Sequence, residues 1–265
     1  MIKGLIFAAL VSFAGITAHA GFEIPDDKNV LVHFGDCRNE FLPPQWQLFV
    51  WNIHKAEAKN GWARDFEYLA PKSDVILLQE AMMDDFVPAV VLRQKGFCWN
   101  FATSFLNNDE NGTGVMNGSS IIPLSIHFLR SPGREPVTNT PKMTLIEEYA
   151  LANMRETLMV ANIHGLNFVS NKTNRQQIEQ VASFLKKHKG PIIFAGDFNS
   201  WNKGRREALN EILSKLALRA VNFPNDNRRM KLDHIYVRGL SVLKTTLHEN
   251  IDSSDHKPLT AEFRL

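Results

Sequence analysis

Six short clusters in this chain carry side chains suited to chemistry on a phosphate ester. They are Trp51-Asn52-Ile53, Leu78-Gln79-Glu80, Asn162-Ile163-His164, Gly196-Asp197-Phe198-Asn199, Leu232-Asp233-His234-Ile235 and Ser254-Asp255-His256-Lys257-Pro258-Leu259. Carboxylates and amides are hard oxygen donors for a divalent cation, and histidines can grip or protonate an anionic ester. Glu80 is the natural hard ligand for Mg²⁺ or Mn²⁺, with Asn52 offering an amide oxygen beside it. Asn52 lies inside an apolar run, where an unpaired amide would be costly, so a ligand role explains it better than a turn. Asp197 and Asn199 share a face by the two-residue period of a strand, where they can orient or deprotonate water and hold a phosphate oxygen. Gly-x-Ser-x-Gly is absent, so direct attack by water is the economical chemistry.

The first five clusters each close a short apolar run: Leu48-Phe49-Val50, Val75-Ile76-Leu77-Leu78, Leu158-Met159-Val160, Ile192-Ile193-Phe194-Ala195 and Lys231-Leu232. Polar residues at the ends of buried strands open into a crevice, which is where α/β proteins place their sites. Patterning predicts strands at 47–53, 74–80, 97–105, 119–129, 144–151, 157–164, 191–197, 232–237, 240–246 and 259–263, with an irregular start and a polar loop over 107–114. Helices are expected at 57–69, 84–93, 173–187 and 203–216, with Asp84-Asp85 capping the second. Many strands with few helices argue for two packed sheets with helices outside rather than a doubly wound parallel sheet.

The 265 residues and a 44% hydrophobic share suffice for one large core. No internal repeat or linker is visible, so residues 21–265 read as one catalytic domain. Residues 1–20 read differently: Lys3, an apolar run from Gly4 to Ile16, and Ala18-His19-Ala20 form a secretory signal peptide cut after Ala20. The run is too short to span a bilayer comfortably, so no stable membrane insertion is expected, and the destination is the periplasm or the medium. Export would place Cys37 and Cys98 where a disulfide persists; two unrelated buried thiols are the alternative. A net charge of +2, or +1 without Lys3, is low for a protein that holds duplex nucleic acid by many phosphates.

Taken together and in this order, the six clusters resemble the endonuclease/exonuclease/phosphatase superfamily, the DNase I-like fold, from Phe49 to Phe263. The compact form of the motifs is similar to a small bacterial exported branch. The resemblance implies a four-layer α/β/β/α sandwich of two packed mixed sheets. It implies that Asp255 is a second carboxylate at the metal and that His256 sits against the scissile phosphate. Asp233 would orient His256, and His164 would stabilise or protonate the leaving group. Either Asp197 or His256 would be the base.

The leading expectation is therefore an exported, monomeric, Mg²⁺-dependent phosphodiesterase, a nuclease acting on nucleic acid. A phospholipid or sugar-phosphate phosphodiesterase on the same core is the alternative, and a silent binding module the third. Retention of all eight core positions speaks against the last. Arg155 matches loosely a basic residue that meets phosphate in some relatives. Arg228 and Arg229, just ahead of Asp233, are candidates for flanking phosphates. His234 alternates away from Asp233 and reads as packing, His54 has no evident partner, and Trp201 is a lid on the core or a base-stacking surface.

Overall fold

A computed structural model describes residues 22–265; the expected signal peptide lies outside these residues. In chain order the strands are β1 (Leu31–Gly35), β2 (Gln45–Asn52), β3 (Val75–Met83), β4 (Cys98–Leu106), β5 (Gly112–Ser119), β6 (Ser125–Arg130), β7 (Met143–Ala150), β8 (Thr157–His164), β9 (Ile192–Asp197), β10 (Arg219–Ala220), β11 (Asp233–Arg238), β12 (Ser241–Leu247) and β13 (Leu259–Arg264). The α-helices are α1 (Asn60–Leu69), α2 (Phe86–Val91), α3 (Asn171–Leu185) and α4 (Lys203–Ser214). Ser170 and Asn202 cap α3 and α4 by accepting from the backbone N–H of Thr173 and Arg205. Asp84 accepts from Phe86 and Val87 and so fixes the start of α2.

Two mixed sheets result, ordered β1-β4-β5-β3-β2-β13-β12 and β10-β11-β9-β8-β7-β6. Strand alternation sorts the apolar residues into three buried seams. Leu48, Val50 and Leu77 face Val160, Ile193 and Ile235 between the sheets. Phe49, Trp51 and Ile76 face outward onto Trp62 and Phe66 of α1 and Val87 and Val91 of α2. Ala161, Ile163 and Phe194 face Ile178 and Val181 of α3 and Leu209 and Leu213 of α4. The layers are thus α/β/β/α, as expected. Cys37 and Cys98 are joined in a disulfide that ties the segment after β1 to the start of β4.

The structure corrects the sequence reading in four places. The irregular start contains β1, which pairs antiparallel with β4. The polar loop is shorter than 107–114, because Gly112–Gly114 begins β5. A Cβ at Gly114 would lie 2.0 Å from the Ala102 carbonyl oxygen, so its composition reflects a close strand approach rather than a turn. The strand expected over 119–129 breaks around Pro123, and its two parts lie in different sheets.

The fourth correction is a repeat. Residues 45–150 run β2-α1-β3-α2-β4-β5-β6-β7, and residues 157–264 run β8-α3-β9-α4-β10-β11-β12-β13. Each half opens with a parallel pair, β2·β3 and β8·β9, and closes with a hairpin that pairs with the other half's first strand. The repeat leaves one trace in the sequence, Asn-Ile-His at 52–54 and again at 162–164. Its remainder is conserved as topology, which apolar patterning alone does not reveal.

Candidate active site

The repeat brings the polar ends of both parallel pairs to one place between the sheets. His164, Asp197 and Asp233 sit directly beside one another, because β8, β9 and β11 pair His164 with Asp197 and Asp197 with Asp233. Gly196 makes this possible: its φ is +129°, and a Cβ there would lie 2.2 Å from the Ile163 carbonyl oxygen. In the other sheet Asn52 pairs with Gln79, and the β3·β5 register slips between Leu78 and Ala81. Glu80 occupies that bulge with φ +51°, a left-handed conformation that a carboxylate residue adopts only under local constraint.

Among the side-chain contacts that cross between the halves, two join the end of a first strand to a carboxylate on the other half's second strand. Asn52 Nδ2 donates to Asp197 Oδ2 at 3.1 Å, and His164 Nε2 lies 3.6 Å from Glu80 Oε1. His164 Nε2 is also 3.7 Å from Asp197 Oδ2. Asp197 accepts further bonds from the Asn199 N–H at 2.8 Å and Asn199 Nδ2 at 3.2 Å. Asn199 reaches this position through a left-handed φ of +49° after the strand has ended, not through strand alternation as the sequence suggested. His256 Nδ1 lies 2.9 Å from both oxygens of Asp233, as expected of a ring held in one orientation.

Glu80, Asp255, His256, His164, Asp197 and Asn199 line one trough of about 540 Å³. Every core residue read from the sequence is brought together except Asn52, which lies buried behind Asp197, and Asp233, which lies behind His256. Asn52 Oδ1 already accepts from the His54 N–H at 3.1 Å. Its amide therefore braces the site, and the second Oδ1 lone pair is what it has left to offer a cation. The expected place of Arg228 is corrected. Its side chain is half-buried against Asp226, 3.0 Å away, and reaches Asp233 Oδ2 at 3.5 Å, so it steadies the His256 partner instead of waiting for phosphate. Arg155 precedes β8, at the end of that strand opposite His164, and cannot reach the trough. Arg229 remains exposed beside His256.

Burial sets the charges. It opposes charge on His256, but Asp233, helped by Asp197 and Asp255, overrides it and raises that pKa to about 10. Burial followed by repulsion from Asp233 raises Asp197 to about 6. Burial, then the charges of Lys142, His256 and Lys55, push His164 well below its ordinary value. The arrangement thus offers an imidazolium, a carboxylate that exchanges a proton near neutrality, and a neutral imidazole. Asp197, Asp233 and His256 place their ligand atoms within 4.8 Å of one another, a spacing compatible with a cation. Asp233 is already engaged by His256 there. Glu80 has no hydrogen-bond donor among the described residues and faces the trough with Asp255, so this pair of hard oxygens suits a divalent cation better.

The sequence reading missed three nearby residues. His54 Nδ1 lies 3.8 Å from Asp255 Oδ1, and the second Asn-Ile-His was the signal for it. Lys55 and Lys142 flank a side pocket that shares Glu80 and His164 with the trough, and no motif announced them. His234 behaves as read: it packs on Phe198 and meets the Ser200 hydroxyl at 2.8 Å.

A sequence profile of the Endonuclease/Exonuclease/phosphatase family matches residues 49–256. The chain is 35% identical over 281 residues to the "UPF0294 protein" of Vibrio campbellii, covering 98% of this chain and 95% of that one. It is 33% identical over 236 residues to the protein of the same name from Klebsiella pneumoniae, covering 82% and 81%. Similar solved structures include an endonuclease/exonuclease/phosphatase from Beutenbergia cavernae, with a TM-score of 0.65 at 15% identity and coverage of 84% and 72%. Another is ANGEL2, a 2′,3′-cyclic phosphatase solved with adenosine-2′,3′-vanadate, with a TM-score of 0.64 at 16% identity and coverage of 88% and 99%. At these identities the structural likeness concerns the fold.

Proposed function

Because this chain belongs to the Endonuclease/Exonuclease/phosphatase family and has its DNase I-like fold, we propose that it is a metal-dependent phosphodiester hydrolase acting on nucleic acid. One observation carries the reading: strand register and the cross-half contacts converge Glu80, His164, Asp197, Asp255 and His256 on a single trough. Glu80 and Asp255 would hold Mg²⁺ or Mn²⁺, which supplies charge neutralisation at the phosphate when bound.

The chain's own groups account for the rest. Asp197, with its pKa near 6, is ionised at neutral pH and takes a proton from water as the water oxygen bonds to phosphorus. Asn52 and the Asn199 N–H hold that carboxylate in place. His256, charged and fixed by Asp233, donates from Nε2 to a non-bridging oxygen where negative charge develops. The bond from phosphorus to the ester oxygen breaks with its electron pair going to that oxygen. His164, neutral and lining the same trough, would donate a hydrogen bond to it before the oxygen takes a proton from solvent. We also propose export to the periplasm or medium, supported by the signal-like first twenty residues and by the Cys37–Cys98 disulfide. Among the described residues no helix is long and apolar enough to cross a membrane.

The test is hydrolysis by the purified mature protein of single- and double-stranded DNA, RNA and sphingomyelin, with and without Mg²⁺ or Mn²⁺. The reading expects metal-dependent cleavage of at least one polynucleotide. Cleavage of lipid alone would transfer the site to the phospholipid alternative.

A further inference from the structure

The rim of the trough carries three exposed apolar side chains, and the polar floor does not explain them. Phe168 is 72% exposed, Val137 92% and Met230 59%, and all three line the trough that holds Asp197 and His256. Single exposed apolar residues are ordinary. These three come from separate loops and converge on one opening.

Two of those loops are held rigidly from below. The buried Glu135 carboxylate, in the loop that carries Val137, accepts from the Asn167 N–H at 2.7 Å and the Phe168 N–H at 3.2 Å. Arg205 is 1% exposed and donates to the carbonyls of Leu166 at 2.9 Å, Asn167 at 2.6 Å and Val169 at 2.7 Å. The same guanidinium donates to the Asn199 carbonyl at 2.8 Å. Phe168 is therefore fixed relative to Asn199, and through it to Asp197. A hydrophobic ring kept exposed on a braced loop loses little entropy when a flat apolar partner covers it.

The basic residues point the same way. Duplex binding draws on several flanking phosphate contacts. Arg155 lies at the far end of β8 and Arg228 is committed to Asp226 and Asp233, which leaves Arg229, Lys142 and Lys55 beside the trough, a small set for a duplex. A membrane surface would need a broad apolar face. Here three tips surround an acidic floor.

Building on the nuclease reading, we propose that Phe168, flanked by Val137 and Met230, is the platform on which one unpaired nucleobase stacks, so that the substrate is single-stranded rather than duplex. Stacking on an aromatic tolerates any base, so the preference is for strandedness and not for sequence. Phe168 determines specificity; Glu135 and Arg205 are positioning residues.

The experiment compares a twelve-residue oligothymidylate, the same length of base-free deoxyribose phosphate, its duplex with oligoadenylate, and sphingomyelin vesicles. Binding is read by fluorescence anisotropy in EDTA and hydrolysis in Mn²⁺, for the wild type, Phe168→Ala and Phe168→Trp. Phe168→Ala should raise Kd and KM for oligothymidylate by about 5- to 100-fold with kcat within about twofold. It should leave the base-free oligomer unchanged, and Phe168→Trp should restore the wild-type values. The duplex should bind more weakly than the single strand. Equal losses on the base-free oligomer, no loss at all, or preference for duplex would overturn the proposal. A Phe168→Ala loss confined to sphingomyelin would overturn it in favour of a lipid surface. Selective binding of bases without any hydrolysis would refute the hydrolase reading and leave the platform standing.

Discussion

The two halves of the molecule repeat the same run of strands and helices, yet they deliver different chemistry to the shared trough. The first half carries Glu80 inside its second strand, in a bulge three residues before the strand ends, in a left-handed conformation, and with no donor among the described residues. The second half ends its second strand with Asp197, in regular pairing and with three donated hydrogen bonds. A carboxylate without donors keeps its negative charge available for a cation. Asp197 is raised to near neutrality by burial and then by Asp233, against the donors that pull it down. The loop before β13 brings Asp255 and His256, whereas the corresponding loop before β7 brings Lys142. Duplicated topology therefore fixes where polar groups meet, and backbone detail at the strand ends decides what each one does.

The largest effects should come from exchanging these roles. Glu80→Gln and Asp197→Asn should each lower kcat/KM by roughly 10²–10⁴. Excess Mn²⁺ should recover part of the loss in Glu80→Gln and none in Asp197→Asn. Wild-type activity should fall as pH drops below about 6, where Asp197 takes up a proton, and that limb should vanish in Asp197→Asn. Recovery of Asp197→Asn by metal would erase the distinction between the halves.

Stability should follow the same division. The folded pKa of Asp197 is raised above its ordinary value, so any contribution to stability is present below about 4 and lost as pH rises through about 6. Asp197→Asn should then be more stable than the wild type at pH 8 by roughly 1–3 kcal/mol, and no more stable at pH 4. His256 is also raised, so its contribution with Asp233 is complete below about 6.5 and lost as pH rises through about 10. In Asp233→Asn the His256 ring should titrate at lower pH, followed by its NMR shifts. The double change with His256→Ala should cost little more activity than the worse single change. Additive losses would mean that the pair does not act as a unit.

A smaller effect sharpens the geometry. Arg155→Ala should leave activity and salt dependence unchanged, because the residue sits at the wrong end of β8. A loss of phosphate affinity in that variant would show that the trough extends along the strand.

Much of this was legible in the sequence because strand ends announce themselves. An apolar run closed by Asp, Glu or His marks a buried strand emerging into a crevice, and six of the eight positions read that way or through the family pattern line the trough. What stayed hidden depends on pairing partners far along the chain. Asn52 looked like a ligand because its type suits one, but its partners Asp197 and the His54 N–H appear only once the sheets are packed. Arg228 looked free because Asp226 is an unremarkable loop residue until the loop closes on it. Phe168 sits in a short segment without period, and the bonds that fix it come from Glu135 and Arg205, both more than thirty residues away.

The division between the halves can be tested without substrate. Metal-stripped wild type, Glu80→Gln and Asp197→Asn would be titrated with Mn²⁺, with free ion followed by electron paramagnetic resonance. The account predicts that Glu80→Gln weakens binding by about tenfold or more, while Asp197→Asn binds within about threefold of wild type. Weak binding in Asp197→Asn with normal binding in Glu80→Gln would contradict it, and would move the cation to Asp197, Asp233 and His256.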